Sequence, residues 1–133
     1  MTMKTLIIDA TSKKIFLVII NNENIYTSTH KNSKSNFDKL VILIERLLKR
    51  HNISLNQISD IYVNRGPGSF AGTRSSISIV KGIHLAKKID YFSYSYSDFI
   101  GEKNIKNIKW KELPKLCKKY DIKKNLIKPI YLG

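Results

Sequence analysis

The stretch Asn-Arg-Gly-Pro-Gly-Ser-Phe-Ala-Gly-Thr-Arg at residues 64–74 decides how this chain folds, because it joins a predicted strand to a predicted helix. The strand is Ile58–Asn64, and the helix runs from about Phe70 to Lys88. Three glycines and a proline force a tight turn that exposes amide groups at a helix N-terminus. Such a turn either holds an anion or only connects the two elements. Its spacing fits neither a Walker A loop nor a nucleophile elbow.

Residues 5–30 are typical of three strands joined by tight turns, an antiparallel meander. Thr5–Ala10 is an apolar strand that carries a carboxylate near its end. Lys14–Ile20 is uniformly apolar and rich in β-branched residues, which indicates a central strand. Ile25–His30 follows the turn residues 21–24 and is more polar, so we expect it at an edge of the sheet.

The next element is a predicted helix at about 36–50, entered through turn and capping residues at 32–36. Its apolar residues at helical spacing form one stripe: Phe37, Leu40, Val41, Ile44, Leu47 and Leu48. Ile42 and Leu43 lie off that stripe. A helix with apolar residues beyond its core face has a second surface to cover.

The helix at 70–88 has one face made of small residues, spaced three and four apart: Ala71, Ser75, Ser78, Gly82 and Ala86. Another element can approach such a face closely. Ile89–Ser95 is the fifth strand, and its alternating aromatic residues favour a strand with one aromatic face over a base-stacking platform. The order βββαβαβ predicts an α/β fold with a five-stranded mixed sheet and helices packed on it. This order resembles the ribonuclease-H-like lobe of actin-like ATPases.

The turn also resembles a family signature, that of the TsaB/YeaZ proteins. The matching residues are Arg65, Gly66, Pro67, Gly68, Ser69, Phe70, Gly72, Arg74, Lys81 and Gly82, whereas Ala71, Thr73 and Ser76 depart from it. Residues 6–12, an apolar strand followed by Asp-Ala-Thr-Ser, resemble the family's opening. Pro129–Leu132 resembles its ending. The resemblance is strong over residues 4–97 and returns at the last few residues.

The resemblance implies a non-catalytic partner subunit for threonylcarbamoyl transfer to adenosine 37 of tRNA. Its partners would be a TsaD-type catalytic subunit and a TsaE-type ATPase. The apolar and small-residue surface beyond one core stripe predicts a homodimer of the isolated chain. The expected partner interface lies on the two helices: Phe37, Ile42, Leu43, Ala71, Ser75, Ser78, Gly82 and Ala86. The resemblance also predicts a shortened member. Residues 1–100 would form the ribonuclease-H-like lobe, and 101–133 a lysine-rich helical remnant and terminal segment of a second lobe that is largely absent.

Asp9, Thr11 and Ser12 stand where active ATPases of this superfamily hold their first phosphate loop. No glycine follows Asp9 to let the backbone approach a phosphate, so we expect a degenerate loop, no catalytic residue and no cofactor. The rival hypothesis is a small nucleotide-binding phosphotransferase that uses Asp9 and the glycine turn. The three histidines lie in separate elements without metal-ligand spacing, so no metal site is expected.

The net charge of +14 suggests nucleic acid as a partner, but abundant lysine also follows from an AT-rich genome. The excess is local: residues 103–128 hold ten lysines against two acids. These lysines either contact tRNA or form the solvated face of a short helix. The apolar side of that helix would be Trp110, Leu113, Leu116 and Tyr120. A rival hypothesis is that the chain is a stand-alone RNA-binding module that works through this segment. A lone cysteine and the lack of a recognisable signal peptide predict a cytoplasmic protein.

Overall fold

A computed structural model describes residues 3–127, which contain five strands and four α-helices. The strands are β1 (Lys4–Asp9), β2 (Lys14–Asn21), β3 (Asn24–Lys31), β4 (Asp60–Asn64) and β5 (Asp90–Tyr94). They form one mixed sheet in the order β3-β2-β1-β4-β5, in which β1, β4 and β5 run parallel and the first three strands form the antiparallel meander. The predicted element order and sheet are confirmed.

Burial along the strands explains their places in the sheet. In β1 every residue from Thr5 to Asp9 is buried, as expected for a strand covered on both faces. β3 alternates between exposed and half-buried residues, as expected for an edge strand with one face on the core. The uniformly apolar β2 lies between these two strands, so the sequence pattern placed both correctly.

The helices are α1 (Lys34–Asp38), α2 (Leu40–Arg50), α3 (Phe70–Lys87) and α4 (Leu113–Lys119). α1, α2 and α3 cover one face of the sheet, where α2 contributes five buried side chains: Leu40, Leu43, Ile44, Leu47 and Leu48. The predicted stripe was wrong at two positions, because Leu43 is 4% exposed whereas Val41 is 47% exposed. Val41 and Leu43 flank the Leu40–Ile44–Leu47 line on opposite sides, and apolar spacing alone does not tell which flank turns inward.

α4 and the turns before it cover the opposite face of the sheet. Leu113, Leu116 and Cys117 are buried against Ile7 of β1 and aromatic side chains of β4 and β5. Trp110 and Tyr120 pack half-buried against the same cluster, and Pro114 lies in the first turn of α4. The predicted apolar side of the lysine-rich segment therefore packs on the sheet.

The chain after α4 returns to the outer edge of β5. Lys124 forms an antiparallel bridge with Phe92. The Asn125 amide donates to the Tyr91 carbonyl at 2.7 Å, and the Tyr91 amide donates to Asn125 Oδ1 at 2.9 Å. The terminal Pro129–Leu132 motif lies outside the described residues. Within residues 3–127, no helix is long and apolar enough to cross a membrane.

Packing of α4 on the sheet predicts that its buried leucine is essential for stability. Leu113→Ala removes a side chain that is 0% exposed, so we expect a loss of about 2–5 kcal/mol in the free energy of unfolding. Lys115→Ala, on the exposed side of the same helix, should change it by less than about 0.5 kcal/mol. Urea unfolding of both variants measures the difference. Equal small effects would mean that α4 is detached from the lobe in solution.

Candidate functional site

The glycine turn and the end of β1 lie side by side, because β1 and β4 are parallel neighbours whose carboxyl ends reach the same edge. Asn64 ends β4, and its side chain accepts a hydrogen bond from the Gly66 amide at 2.9 Å and donates one to Asp9 at 3.1 Å. Ser69 then caps α3, with its hydroxyl oxygen accepting from the Gly72 amide at 3.2 Å. Two segments far apart in sequence therefore meet at one site.

The Asp9 carboxylate is buried and already engaged by the chain itself. One oxygen accepts from the Thr11 amide at 3.1 Å and the Thr11 hydroxyl at 2.7 Å, and the other accepts from Asn64. Three hydrogen bonds hold a buried carboxylate without a bound ligand. Ser12 does not join this group, since its hydroxyl donates to the Lys14 carbonyl at 3.2 Å. Of the three residues predicted for a phosphate loop, only Asp9 and Thr11 come together with the turn.

The glycines of the turn lie against the chain's own backbone. A Cβ atom on Gly68 would stand 2.2 Å from the Thr11 carbonyl oxygen, and one on Gly72 would stand 2.3 Å from the Ala10 carbonyl oxygen. The Ser69 amide donates to that Thr11 oxygen at 2.7 Å. The space beside these glycines, where a phosphate-binding turn would admit its ligand, is therefore occupied by residues 10–11.

Asn32, between β3 and α1, closes the site from a third side. Its side-chain amide donates to the carbonyls of Ala10 at 3.0 Å and Ser12 at 2.5 Å, and its oxygen accepts from the Ser69 hydroxyl at 3.3 Å. Sequence reasoning treated Asn32 only as a capping candidate. A polar side chain just before a helix indicates a helix cap. It gives no indication of a contact with the glycine turn, which lies more than 30 residues further along the chain.

The two arginines of the signature have different environments. Arg65 is 9% exposed and makes a bidentate ion pair with Asp98 at 2.6 and 2.7 Å, and it also donates to the Ser93 carbonyl. Arg74 is exposed and stacks over the Phe70 ring at 4.9 Å, and that ring is itself 73% exposed. Arg65 therefore fixes the turn to the segment after β5, a link to Asp98 that sequence reasoning missed, whereas Arg74 and Phe70 face outward.

Three titratable side chains around the site are held in their protonated forms by burial. Burial is the main cause that raises the pKa of Tyr94, and the nearby Asp9 carboxylate raises it further. The same two causes raise the pKa of Tyr96 to about 12. Burial raises the pKa of the Cys117 thiol to about 12 as well, so the thiol is protonated at neutral pH. Among residues 3–127 there is no cluster of three His, Cys, Asp or Glu side chains that could hold a metal ion.

A second candidate site is the outer surface of α2 and α3, which we call the helix-pair surface. It consists of Val41, Ile42, Ala71, Ser75, Ser78, Gly82 and Ala86, all exposed apart from the half-buried Ser75. A Cβ atom built on Gly82 meets nothing within 4 Å. A groove of about 390 Å³ runs between the helices and is lined by Phe37, Val41, Ser75 and Ser78. Of the predicted interface residues, Leu43 is buried in the core and Phe37 is half-buried.

The architecture is an α/β lobe with the ribonuclease-H-like, actin-like fold. The solved structure of YeaZ from Pseudomonas aeruginosa has a similar fold. That structure superposes with a TM-score of 0.67 at 18% identity, over 79% of this chain and 49% of the other. Residues 24–95 match the model of the family described as "TsaD: tRNA N6-adenosine threonylcarbamoyltransferase". The chain therefore belongs to this family, as a TsaB/YeaZ-type member.

Two curated relatives, both from Buchnera aphidicola, are called tRNA threonylcarbamoyladenosine biosynthesis protein TsaB. The relative from subspecies Baizongia pistaciae is 35% identical over 71 residues, which are 47% of this chain and 32% of that protein. The relative from subspecies Schizaphis graminum is 26% identical over 108 residues, which are 81% of this chain and 51% of that protein. The matched part of this chain thus spans about a third to about a half of the length of these curated relatives.

Two glycines of α3 allow a matched test of the packed turn. Gly72→Ala places a methyl group 2.3 Å from a backbone oxygen, so we expect it to lower the free energy of unfolding by about 1–3 kcal/mol. Gly82→Ala meets nothing and restricts only the unfolded chain, so it should raise that energy by about 0.4–1 kcal/mol. Thermal unfolding followed by circular dichroism distinguishes the two. Stabilisation by Gly72→Ala would contradict the close contact with residue 10.

Proposed function

We propose that the chain is a non-catalytic partner subunit for threonylcarbamoyl transfer to adenosine 37 of tRNA. It would pair through the helix-pair surface with a TsaD-type catalytic subunit, in a complex that also uses a TsaE-type ATPase. The observation that carries this proposal is the exposed small-residue face of α3, with its open position at Gly82. The matching family model and the names of the curated relatives support the pathway.

The chemistry of the helix-pair surface suits another pair of helices. Small side chains at positions 75, 78 and 82 let a second helix approach to the short end of the usual 8–10 Å axial distance. Val41 and Ile42 are 47% and 48% exposed, so they supply apolar area for burial beside that contact. A partner that presents two helices would form a four-helix contact with α2 and α3. Short polar loops or a flat sheet would not fit between these two helices as closely.

The non-catalytic role is supported by the state of the candidate phosphate site. The Asp9 carboxylate accepts hydrogen bonds from Thr11 and Asn64, and the glycines pack on the backbone of residues 10–11. A nucleotide phosphate at this place would have to displace the chain's own carbonyl groups. These contacts disfavour the rival hypothesis of a small phosphotransferase, and we assign no cofactor to the chain.

The rival hypothesis makes a measurable claim about ATP. We expect the purified chain to hydrolyse ATP no faster than buffer, and Asp9→Asn, which keeps the shape of the side chain, to behave in the same way. Equilibrium dialysis with labelled ATP and a phosphate-release assay give the two readouts. Hydrolysis above background that is lost in Asp9→Asn would overturn the non-catalytic assignment.

The pairing surface is tested by filling the open position of α3. Gly82→Leu should abolish co-purification with the TsaD-type protein of the same organism, because the added side chain keeps the second helix away. It should leave the circular dichroism spectrum unchanged, since nothing in the lobe lies within 4 Å of that Cβ. Asn56→Leu adds the same apolar bulk to an exposed residue between α2 and β4, and it should co-purify normally.

The same surface accounts for the proposed homodimer in the absence of the partner. An exposed apolar patch that is self-complementary pairs most simply about a two-fold axis. Light scattering at tens of micromolar should therefore give the mass of a dimer for the unmodified chain and of a monomer for Gly82→Leu. A monomeric unmodified chain that still co-purifies with the TsaD-type protein would exclude the homodimer and leave the hetero-pairing intact.

A further inference from the structure

A strip of positive charge lies between β3 and the outer side of α2, away from the lysine-rich segment. On β3 the half-buried side chains Tyr26, Ser28 and His30 alternate with exposed ones, and Tyr26 packs on the same core as α2. His30 Nε2 lies 2.5 Å from the Ser28 hydroxyl. We call His30 together with Lys39, Arg46 and Arg50 the α2–β3 strip.

The spacing along α2 brings these cations to one side of the helix. Arg46 and Arg50 are four residues apart, and Lys39, the residue before α2, is seven residues before Arg46, so all three lie on one line along the helix. Burial lowers the pKa of His30, and the positive charges of Arg50, Lys39 and Arg46 lower it further. The packing of α2 against β3 brings this line of cations to the side of the lobe that carries His30.

No acidic side chain within residues 3–127 forms an ion pair with Lys39, Arg46 or Arg50. In the lysine-rich segment Lys119 pairs with Glu102, Lys123 with Asp121 and Lys124 with Asp90, whereas Lys111, Lys115 and Lys118 form no ion pair with a described residue either. A cluster of like charges repels itself, and a bound polyanion relieves that repulsion. Arg46 and Arg50 distinguish the strip from those lysines, because a guanidinium group binds a phosphate through two parallel hydrogen bonds.

An aromatic pair adjoins the strip at the C-terminal end of α2. His51 directly follows Arg50, and its ring stacks on Tyr26 with centroids 3.7 Å apart and planes 8° from parallel. Both residues are half-buried. The two rings cover each other and Tyr26 also packs on the core, so this pair only closes the end of the strip and leaves ligand binding to the cations. The tRNA pathway in the names of the curated relatives favours RNA over an acidic protein segment as the ligand of those cations.

We propose that the α2–β3 strip binds the phosphodiester backbone of RNA; its identity as a tRNA rests on the function proposed above. The strip and the helix-pair surface occupy different flanks of α2. Successive helical residues rotate by about 100°, so Arg46 lies roughly 140° around the axis from Val41. Ile42, four residues before Arg46, lies between the two flanks, so RNA on the strip would border Ile42 while leaving the Val41 flank open for a protein partner.

The test compares two triple substitutions that remove the same charge. In the full chain, Lys39→Gln, Arg46→Gln and Arg50→Gln together should weaken binding of a fluorescent tRNA transcript about tenfold or more at low salt. The slope of log affinity against log salt should flatten by roughly 2–3, since each lost phosphate contact contributes about 0.7–0.9. The control triple, Lys111→Gln, Lys115→Gln and Lys118→Gln, removes exposed lysines of the lysine-rich segment and should change affinity less than about threefold.

Three outcomes would overturn the proposal. Equal losses in both triples would show that only net charge matters, and an unchanged affinity in the strip triple would exclude the strip. If poly-aspartate binds the unmodified chain as tightly as the transcript, and the strip triple loses both equally, the strip is a site for acidic protein segments. All these measurements use the isolated chain, so they are independent of co-purification with a TsaD-type protein, which tests the proposed function alone.

Discussion

The structure depends on the hydrogen bonds that the Asp9 carboxylate accepts at the end of β1. A buried carboxylate is costly unless its oxygens are satisfied, and here Thr11, in the turn after β1, and Asn64, at the end of β4, satisfy them. The same contact brings the glycine turn onto the backbone of residues 10–11, where Ser69 donates to the Thr11 carbonyl and starts α3. The direction of α3, and hence the outward presentation of its small-residue face, follows from this junction.

The lobe is stable as a three-layer unit because both faces of the sheet are covered. α1, α2 and α3 bury one face, and α4 with its neighbouring turns buries the other. Ile7 turns to the α4 side whereas Leu6 and Ile8 turn to the other, so β1 contributes to both cores. A short helix of seven residues, together with the turns before it, is enough to cover the second face of the sheet.

Much of this could be predicted from the sequence, because the deciding signals are local. Strand burial and turn residues depend on neighbours within a few positions, and the fold predicted from them is confirmed. The role of the small face of α3 stays a prediction. The choice between Val41 and Leu43 was wrong, because both flank the same apolar line. Asn32 and Asp98 were missed since their partners lie 37 and 33 residues away in sequence. The α2–β3 strip was missed for the same reason: it combines a strand and a helix whose charges look ordinary when each is taken alone.

The junction at Asp9 also determines how the lobe holds together as a thermodynamic unit. The turn between β1 and β2 closes over four residues, whereas Asp9 and Asn64 are separated by 55. Closing the longer loop costs roughly 2 kcal/mol more chain entropy than closing the hairpin. One side-chain hydrogen bond, from Asn64 to Asp9, joins the two segments here, and β1 and β4 are ordered together with the burial that α1, α2 and α3 provide. The meander, the helices and the glycine turn therefore form one cooperative unit, in which the turn has no independent stability.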